Sequence, residues 1–286
     1  MTFSIVAFDP INKEWGVAVQ SKFVAVGCIV PFAKAGIGAI ATQAHVNTSF
    51  GPRGLRLLKE GLTAKDTIEK LLKDDEGRET RQIGIVDSFG NAAAFTGKEC
   101  FDWAGHVVGE NFTCQGNILV SDKVVKEMAI AYTNLKGDLV EKLFVALESA
   151  QKMGGDKRGR ESAAIYIVKE KGAYDGGTDK YIDIRVDEHP TPIKELKKVF
   201  EIYDMCLLNR EDPGDIIKLT GNSMKIVQER LQIDGFYKGK LSGTFDDSTR
   251  EALSKWLATN NFEVKERDDE YMWGTVFRYI QKLKGN

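Results

Sequence analysis

Position 2 of this 286-residue chain is a threonine directly behind the first methionine. A hydroxyl is a weak nucleophile at neutral pH and needs a base, which an N-terminal threonine carries in its own α-amine, with a pKa of ~8. An initiator methionine is normally removed when the next residue is small, so loss of Met1 is expected to expose the amine of Thr2 without autoproteolysis. The alternative is structural, because a β-branched residue also suits the opening of a strand. Ser21 could hydrogen-bond that amine or simply cap a turn. Acyl transfer also needs N–H donors for a developing oxyanion. Gln43, the backbone at Ala44 and Asn117 are the candidates, although Gln and Asn equally often satisfy turn backbones. Arg53, in the loop Gly51-Pro52-Arg53-Gly54, could fork onto a substrate carboxylate, as could Arg158 or Arg160. Asp156 belongs to the same substrate-binding set or serves as the surface partner of one of these arginines.

Competing chemistry is poorly represented. His45, His106 and His189 are too scattered for a metal motif, and neither HExxH nor CxxC occurs, so neither metal nor cofactor is expected. Cys28, Cys100, Cys114 and Cys206 are far apart and read as reduced, partly buried thiols. Cys114 or Cys28 with His45 or His106 could form a thiol hydrolase pair, but burial is the commoner state of such cysteines.

The elements that must position these residues are strands at first. Thr2 to Phe8, Trp15 to Ser21 and Gly36 to Thr42 are rich in small and β-branched residues, and Asp9 to Lys13 supplies a hairpin turn. Thr63 with Asp66 resembles a capping box for a helix to about Lys73. Strands around Ile83 to Val86, Ala92 to Phe95 and Phe112 to Leu119 follow. Two amphipathic helices run through Val124 to Tyr132 and Leu139 to Leu147, and SAAIYIVKE with YIDIRVD forms a last hairpin. This order excludes regular βαβ alternation and predicts an α+β protein with helices packed on antiparallel sheets. Gly36-Ile37-Gly38 lacks the context of a dinucleotide fingerprint.

The texture changes at His189-Pro190-Thr191-Pro192, where a charged helix with Leu196, Phe200, Tyr203 and Leu207 begins. Beyond Pro213-Gly214, helix signals around Val227 and Leu231 and from Thr249 to Trp256 suggest a compact helical module. The expected division is 1–188, a helical linker 189–222, and the module 223–286.

Forty basic against 42 acidic residues leave no global field for nucleic acid or an anionic membrane. The first ten residues lack a basic n-region, and no run approaches ~18 apolar residues, so a cytoplasmic protein is expected.

The stretch TFSIVAFDPINKEWGVAVQSKFVAVG, then ATQA at 41–44, FGPRGL at 50–55, CQGN at 114–117 and GGDKRGRESAA at 154–164, resembles the DUF1028 family over residues 2 to about 188. That resemblance implies the N-terminal-nucleophile (Ntn) hydrolase superfamily and its four-layer αββα sandwich. Lys34, 32 positions after Thr2, then has the separation of the catalytic lysine from the nucleophile in proteasome-like Ntn hydrolases. A cation there would lower the amine and hydroxyl pKa values; otherwise Lys34 is a solvated lysine between two strands. Independently, VQERLQIDGFYKGKLSGTFDDSTREALSKWL resembles a peptidoglycan-binding module, although the usual second repeat is replaced after Phe262 by KERDDEYMWG. Phe236, Tyr237 and Trp256 could form a sugar-stacking surface or the core of the module. Core is expected of Trp256 and Phe245, and Tyr237 is the better ligand candidate.

Two readings follow. In the first, the chain cleaves a small or peptide-like linear amide through a Thr2 acyl-enzyme. In the second, it is a non-catalytic scaffold whose C-terminal module binds glycan or a protein partner. A homo-oligomer that binds neither nucleic acid nor membrane is expected in both.

Overall fold

A computed structural model of the chain describes residues 2–283. Met1, and with it the question of its removal, lies outside the described residues. The chain divides after Lys198 into two compact units.

The first unit opens with β1 (Thr2–Asp9) and β2 (Glu14–Ser21), a hairpin joined by the expected turn. Every residue from Thr2 to Phe8 is buried, so β1 is covered on both faces and runs apolar from Ile5 to Phe8 without alternation. Next come β3 (Pro31–Lys34), β4 (Gly38–Ala44), α1 (Phe50–Lys59), α2 (Ala64–Leu72), β5 (Arg81–Asp87) and β6 (Ala92–Thr96). They are followed by β7 (Gly105–Gly109), β8 (Phe112–Asn117), α3 (Lys123–Asn134), α4 (Leu139–Lys152), β9 (Ser162–Val168) and β10 (Lys180–Val186). The helix α5 (Pro192–Leu207) runs across the division between the units.

Two antiparallel sheets result, ordered β10-β9-β2-β1-β8-β7 and β3-β4-β5-β6. The two-residue period of a strand puts Thr2, Ser4, Val6 and Phe8 on one face of β1. Val6 and Phe8 join Val17 and Val19 of β2 in a core with Ala39, Ala41 and Val86 of the other sheet. The outer face of the four-stranded sheet, at Ile40, Ile83 and Ile85, is covered by Phe50, Leu57, Ile68 and Leu71 from α1 and α2. Helices α3 and α4 pack on the six-stranded sheet, with the rings of Tyr132 and Phe112 4.7 Å apart.

Three elements depart from the expectation. The segment Gly51-Pro52-Arg53-Gly54 is the first turn of α1, not a loop. Both glycines are buried against the sheet: a Cβ at Gly51 would lie 2.2 Å from the Phe32 ring, and one at Gly54 2.5 Å from Ile40. The glycines therefore serve close helix-to-sheet approach, and the proline sits in the first helical turn, where its missing N–H has no intrahelical partner to lose. The short strands β3 and β7 also form, although four and five residues carry little periodic signal. The helix after Thr63 forms as expected, the Thr63 side chain accepting from Asp66 N at 3.2 Å.

The second unit holds β11 (Ile216–Lys218), α6 (Gly221–Ile233), α7 (Asp247–Thr259), β12 (Tyr271–Trp273) and α8 (Gly274–Lys282). It is helical with a small antiparallel ribbon of β11 and β12, so the all-helical expectation is corrected. Its core contains Met224, Val227, Leu231, Trp256, Val276 and Ile280. Trp256 Nε1 donates to Asp234 at 2.7 Å, which satisfies the one polar group of a fully buried indole.

Candidate functional site

Thr2 stands between Ser21 of β2 and Asn117 of β8, its partners in the two flanking registers. Its Oγ1 lies 3.1 Å from Ser21 Oγ. Both side chains, with Gln43 and Asn117, line one cavity of about 270 Å³, just under the range of roughly 300–1,000 Å³ usual for small-molecule sites. Around this polar floor stand apolar walls, including Val26, Val30 and Ile118, and a mouth that includes the exposed Phe23, Val46 and Phe101.

A buried amide network fixes the floor. Gln82 Oε1 accepts from Gln43 Nε2 at 2.8 Å and from Asn117 Nδ2 at 2.9 Å. Gln82 Nε2 in turn donates to the Gly116 carbonyl at 2.7 Å and to Thr96 Oγ1 at 2.9 Å. Gln43 Nε2 also reaches the Thr2 carbonyl at 3.5 Å, and Gln43 Oε1 accepts from Ser4 Oγ at 2.7 Å. The two N–H groups of Gln43 are thus committed, whereas Asn117 has one N–H on Gln82 and a second left for the cavity. Gln82 escaped the sequence reading. Its signal was a polar residue on the strand face shared with Val86, directly opposite Gln43 in the β4–β5 register.

The backbone is unusual at the same place. Ala44 and Ile118, both in the cavity lining, have φ of 67° and 50°. A left-handed conformation costs an L-residue roughly 1–2 kcal/mol and is a true outlier for a β-branched one. Such strain concentrates at functional sites.

Arg158 completes the lining with the one guanidinium it contains. It is held by Asp156, which is buried, accepts from Arg158 N at 2.8 Å and from Lys22 N at 2.9 Å, and lies 3.5 Å from the Arg158 guanidinium. Asp156 therefore anchors the loop and does not line this cavity. His45 stands at the rim, where its carbonyl accepts from Arg81 Nη1 at 2.6 Å. Arg81 is itself paired with Asp75 at 2.7 Å, and that guanidinium holds the Asp75 carboxyl below its usual range.

Other expected residues lie elsewhere. Lys34 is on β3, outside the cavity lining, with its ammonium 2.9 Å from Asp179. The matching sequence separation therefore does not bring it to Thr2. Arg53 is exposed on α1, over the Phe50 ring, because helical packing turns it outward. Arg160 lines a different, open depression beside Gln151 and Pro192. Tyr237, expected at a ligand surface, is 7% exposed, and its hydroxyl donates to the Lys240 carbonyl at 3.0 Å. A module this small uses that ring as core. Phe245, expected in the core, is only partly buried and stacks with Arg250 at 4.5 Å. Cys114 is fully buried, and burial pushes its thiol well above the ordinary range, so it is no thiolate nucleophile. Among the described residues no cluster of three or more His, Cys, Asp or Glu could hold a metal ion, and no helix is long and apolar enough to cross a membrane.

A sequence model described as "Family of unknown function (DUF1028)" matches residues 2–196, more than half of the chain. This chain belongs to the DUF1028 family. A solved DUF1028 structure, protein SPO2555 from Silicibacter pomeroyi, is 30% identical, with 71% of this chain and 86% of that chain covered and a TM-score of 0.65. Anbu (ancestral beta-subunit) from Yersinia bercovieri is 10% identical over 69% of this chain and 92% of that one. Its TM-score is 0.32. A second model, "Putative peptidoglycan binding domain", matches residues 206–280. No curated protein matches the chain.

Proposed function

We propose that this DUF1028 protein is an Ntn-type amidohydrolase, built as a four-layer αββα sandwich, that cleaves a small or peptide-like linear amide through Thr2. Helix pairs on the outer faces of two facing sheets support the sandwich. The observation that carries the chemistry is the Thr2 hydroxyl, 3.1 Å from Ser21 Oγ, at the floor of a cavity that also holds the Asn117 amide.

With Met1 removed, the Thr2 amine takes the proton from Oγ1 as Oγ1 bonds to the substrate carbonyl carbon. Negative charge moves to the carbonyl oxygen, where the second Asn117 N–H donates to it. The tetrahedral adduct collapses, the C–N bond breaks, and the amine proton passes to the leaving nitrogen. Water, deprotonated by the same amine, then hydrolyses the Thr2 ester and restores the hydroxyl. Ser21 orients Oγ1 throughout. Lys34 has no part in this scheme, and Gln43 holds the floor through Gln82. The enzyme acts in the cytosol as a homo-oligomer, which light scattering of the purified protein tests.

Intact mass should show a chain beginning at Thr2, and Thr2→Ala should remain folded while amidase turnover disappears. Retained Met1, or unchanged turnover in Thr2→Ala, removes the reading.

The match of residues 206–280 favours a second reading, in which the first unit is a non-catalytic scaffold and the second binds glycan. Co-sedimentation of the full chain with purified peptidoglycan, without amidase turnover, would support it.

A further inference from the structure

We infer that the Thr2 cavity selects amides with one apolar half and one half that carries a carboxylate, as an N-acyl amino acid does. The inference rests on the amidohydrolase reading for the reaction, but its binding claim stands on the lining alone.

The lining is electrostatically one-sided. Among the described residues it contains no Asp or Glu, and its one permanently charged group is the Arg158 guanidinium. The ion-pair partner of Arg158, Asp156, is fully shielded from solvent and spends its oxygens on Lys22 N, Arg158 N and the Arg158 guanidinium. That arrangement positions the arginine, with its carboxylate partner kept out of the cavity lining. The guanidinium fork has five N–H donors, the Arg158 side chain is 46% exposed, and a carboxylate is the planar partner that such a fork matches. An ammonium-bearing substrate would find no carboxylate in the lining to pair with.

The remaining surface is apolar. Val26 and Val30 are almost completely buried in the wall, while Phe23 and Phe101 are 49% and 62% exposed at the mouth. Large apolar side chains left in water around a cavity mark a surface that a ligand covers. The polar floor between wall and arginine is the place for the amide itself, within reach of Thr2 and Asn117. The cavity volume limits the ligand to a small one.

The test uses the full-length Thr2→Ala protein, which binds without turnover, and calorimetry with two near-isosteric probes, N-hexanoylglycine and N-hexanoylglycinamide. The acid should bind roughly 10- to 100-fold more tightly than the neutral amide, the range of a charge-assisted hydrogen-bonded pair. Arg158→Met should bring the two probes to equal affinity, and Arg158→Lys should restore part of the preference. N-acetylglycine should bind more weakly than N-hexanoylglycine. Equal affinity of acid and amide for the Thr2→Ala protein, or binding of neither, overturns the inference. Glycine release by the unsubstituted enzyme is scored separately. Tight acid binding without release would remove the Thr2 reaction and leave the binding assignment in place.

Discussion

Thr2 Oγ1 lies 3.1 Å from Ser21 Oγ because the two residues face one another in the β1–β2 register, both buried at the cavity floor. Ser21→Ala should therefore lower kcat by roughly 10²-fold, the cost of letting a reacting atom drift by about 1 Å from its productive position. Its stability cost should be only about 1 kcal/mol, one buried hydrogen bond. Steady-state kinetics beside urea unfolding checks both. An unchanged kcat would show that the contact is merely architectural.

The donor arithmetic separates Asn117 from Gln43. Asn117→Ala should cost roughly 10²–10³ in kcat, as loss of an oxyanion donor does, with a smaller change in KM. Gln43→Leu should appear mainly as lost stability, since both of its N–H groups are committed within the floor. Urea midpoints measured alongside kcat distinguish the two. A large kcat loss at Gln43 with stability intact would reverse the assignment.

The rim at His45 depends on pH through Asp75. The Arg81 hydrogen bond holds the folded-state pKa of Asp75 below its unfolded value of ~3.9. The pair's contribution is therefore complete above ~3.9 and is lost as pH falls through the lower folded value. Asp75→Asn should destabilise the protein near neutral pH, and the gap to the unsubstituted protein should close under strongly acidic conditions. Urea unfolding of both proteins over a pH series reads this. A gap independent of pH would mean that the aspartate acts through shape, not charge.

In the second unit, Gly243 has φ of 77°, and a Cβ there would lie 2.9 Å from the Gly221 carbonyl oxygen. Gly243 N donates to buried Gln228 at 3.0 Å, and its carbonyl accepts from Gly221 N at 2.8 Å. Gly243→Ala should destabilise this unit by about 2 kcal/mol through backbone strain and lost hydrogen bonds. Native-state hydrogen exchange should show faster exchange in α6 and α7, with the first unit unaffected.

The hairpin of β1 and β2, the capped α2 and the helices α3 and α4 are legible in local sequence, because each rests on side-chain periodicity, turn chemistry or a cap. Candidates Thr2, Ser21, Gln43 and Asn117 are legible as residue types suited to acyl transfer, and the structure brings all four to one cavity. What local pattern could not supply is depth and direction. FGPRGL carries helix-weakening glycines that make sense only against Phe32 and Ile40, two side chains that arrive from other strands. Lys34 matches by count, yet the turn after β3 gives its ammonium to Asp179, 145 positions away. Tyr237 has the chemistry of a sugar platform, but the shortage of large apolar side chains in a small module draws it inside. The sequence alone determined which residues could act and which strands would carry them. Only the tertiary structure decided which arginine lines the cavity with Thr2 and which amide keeps a donor to spare, because both follow from register and packing between segments far apart in the chain.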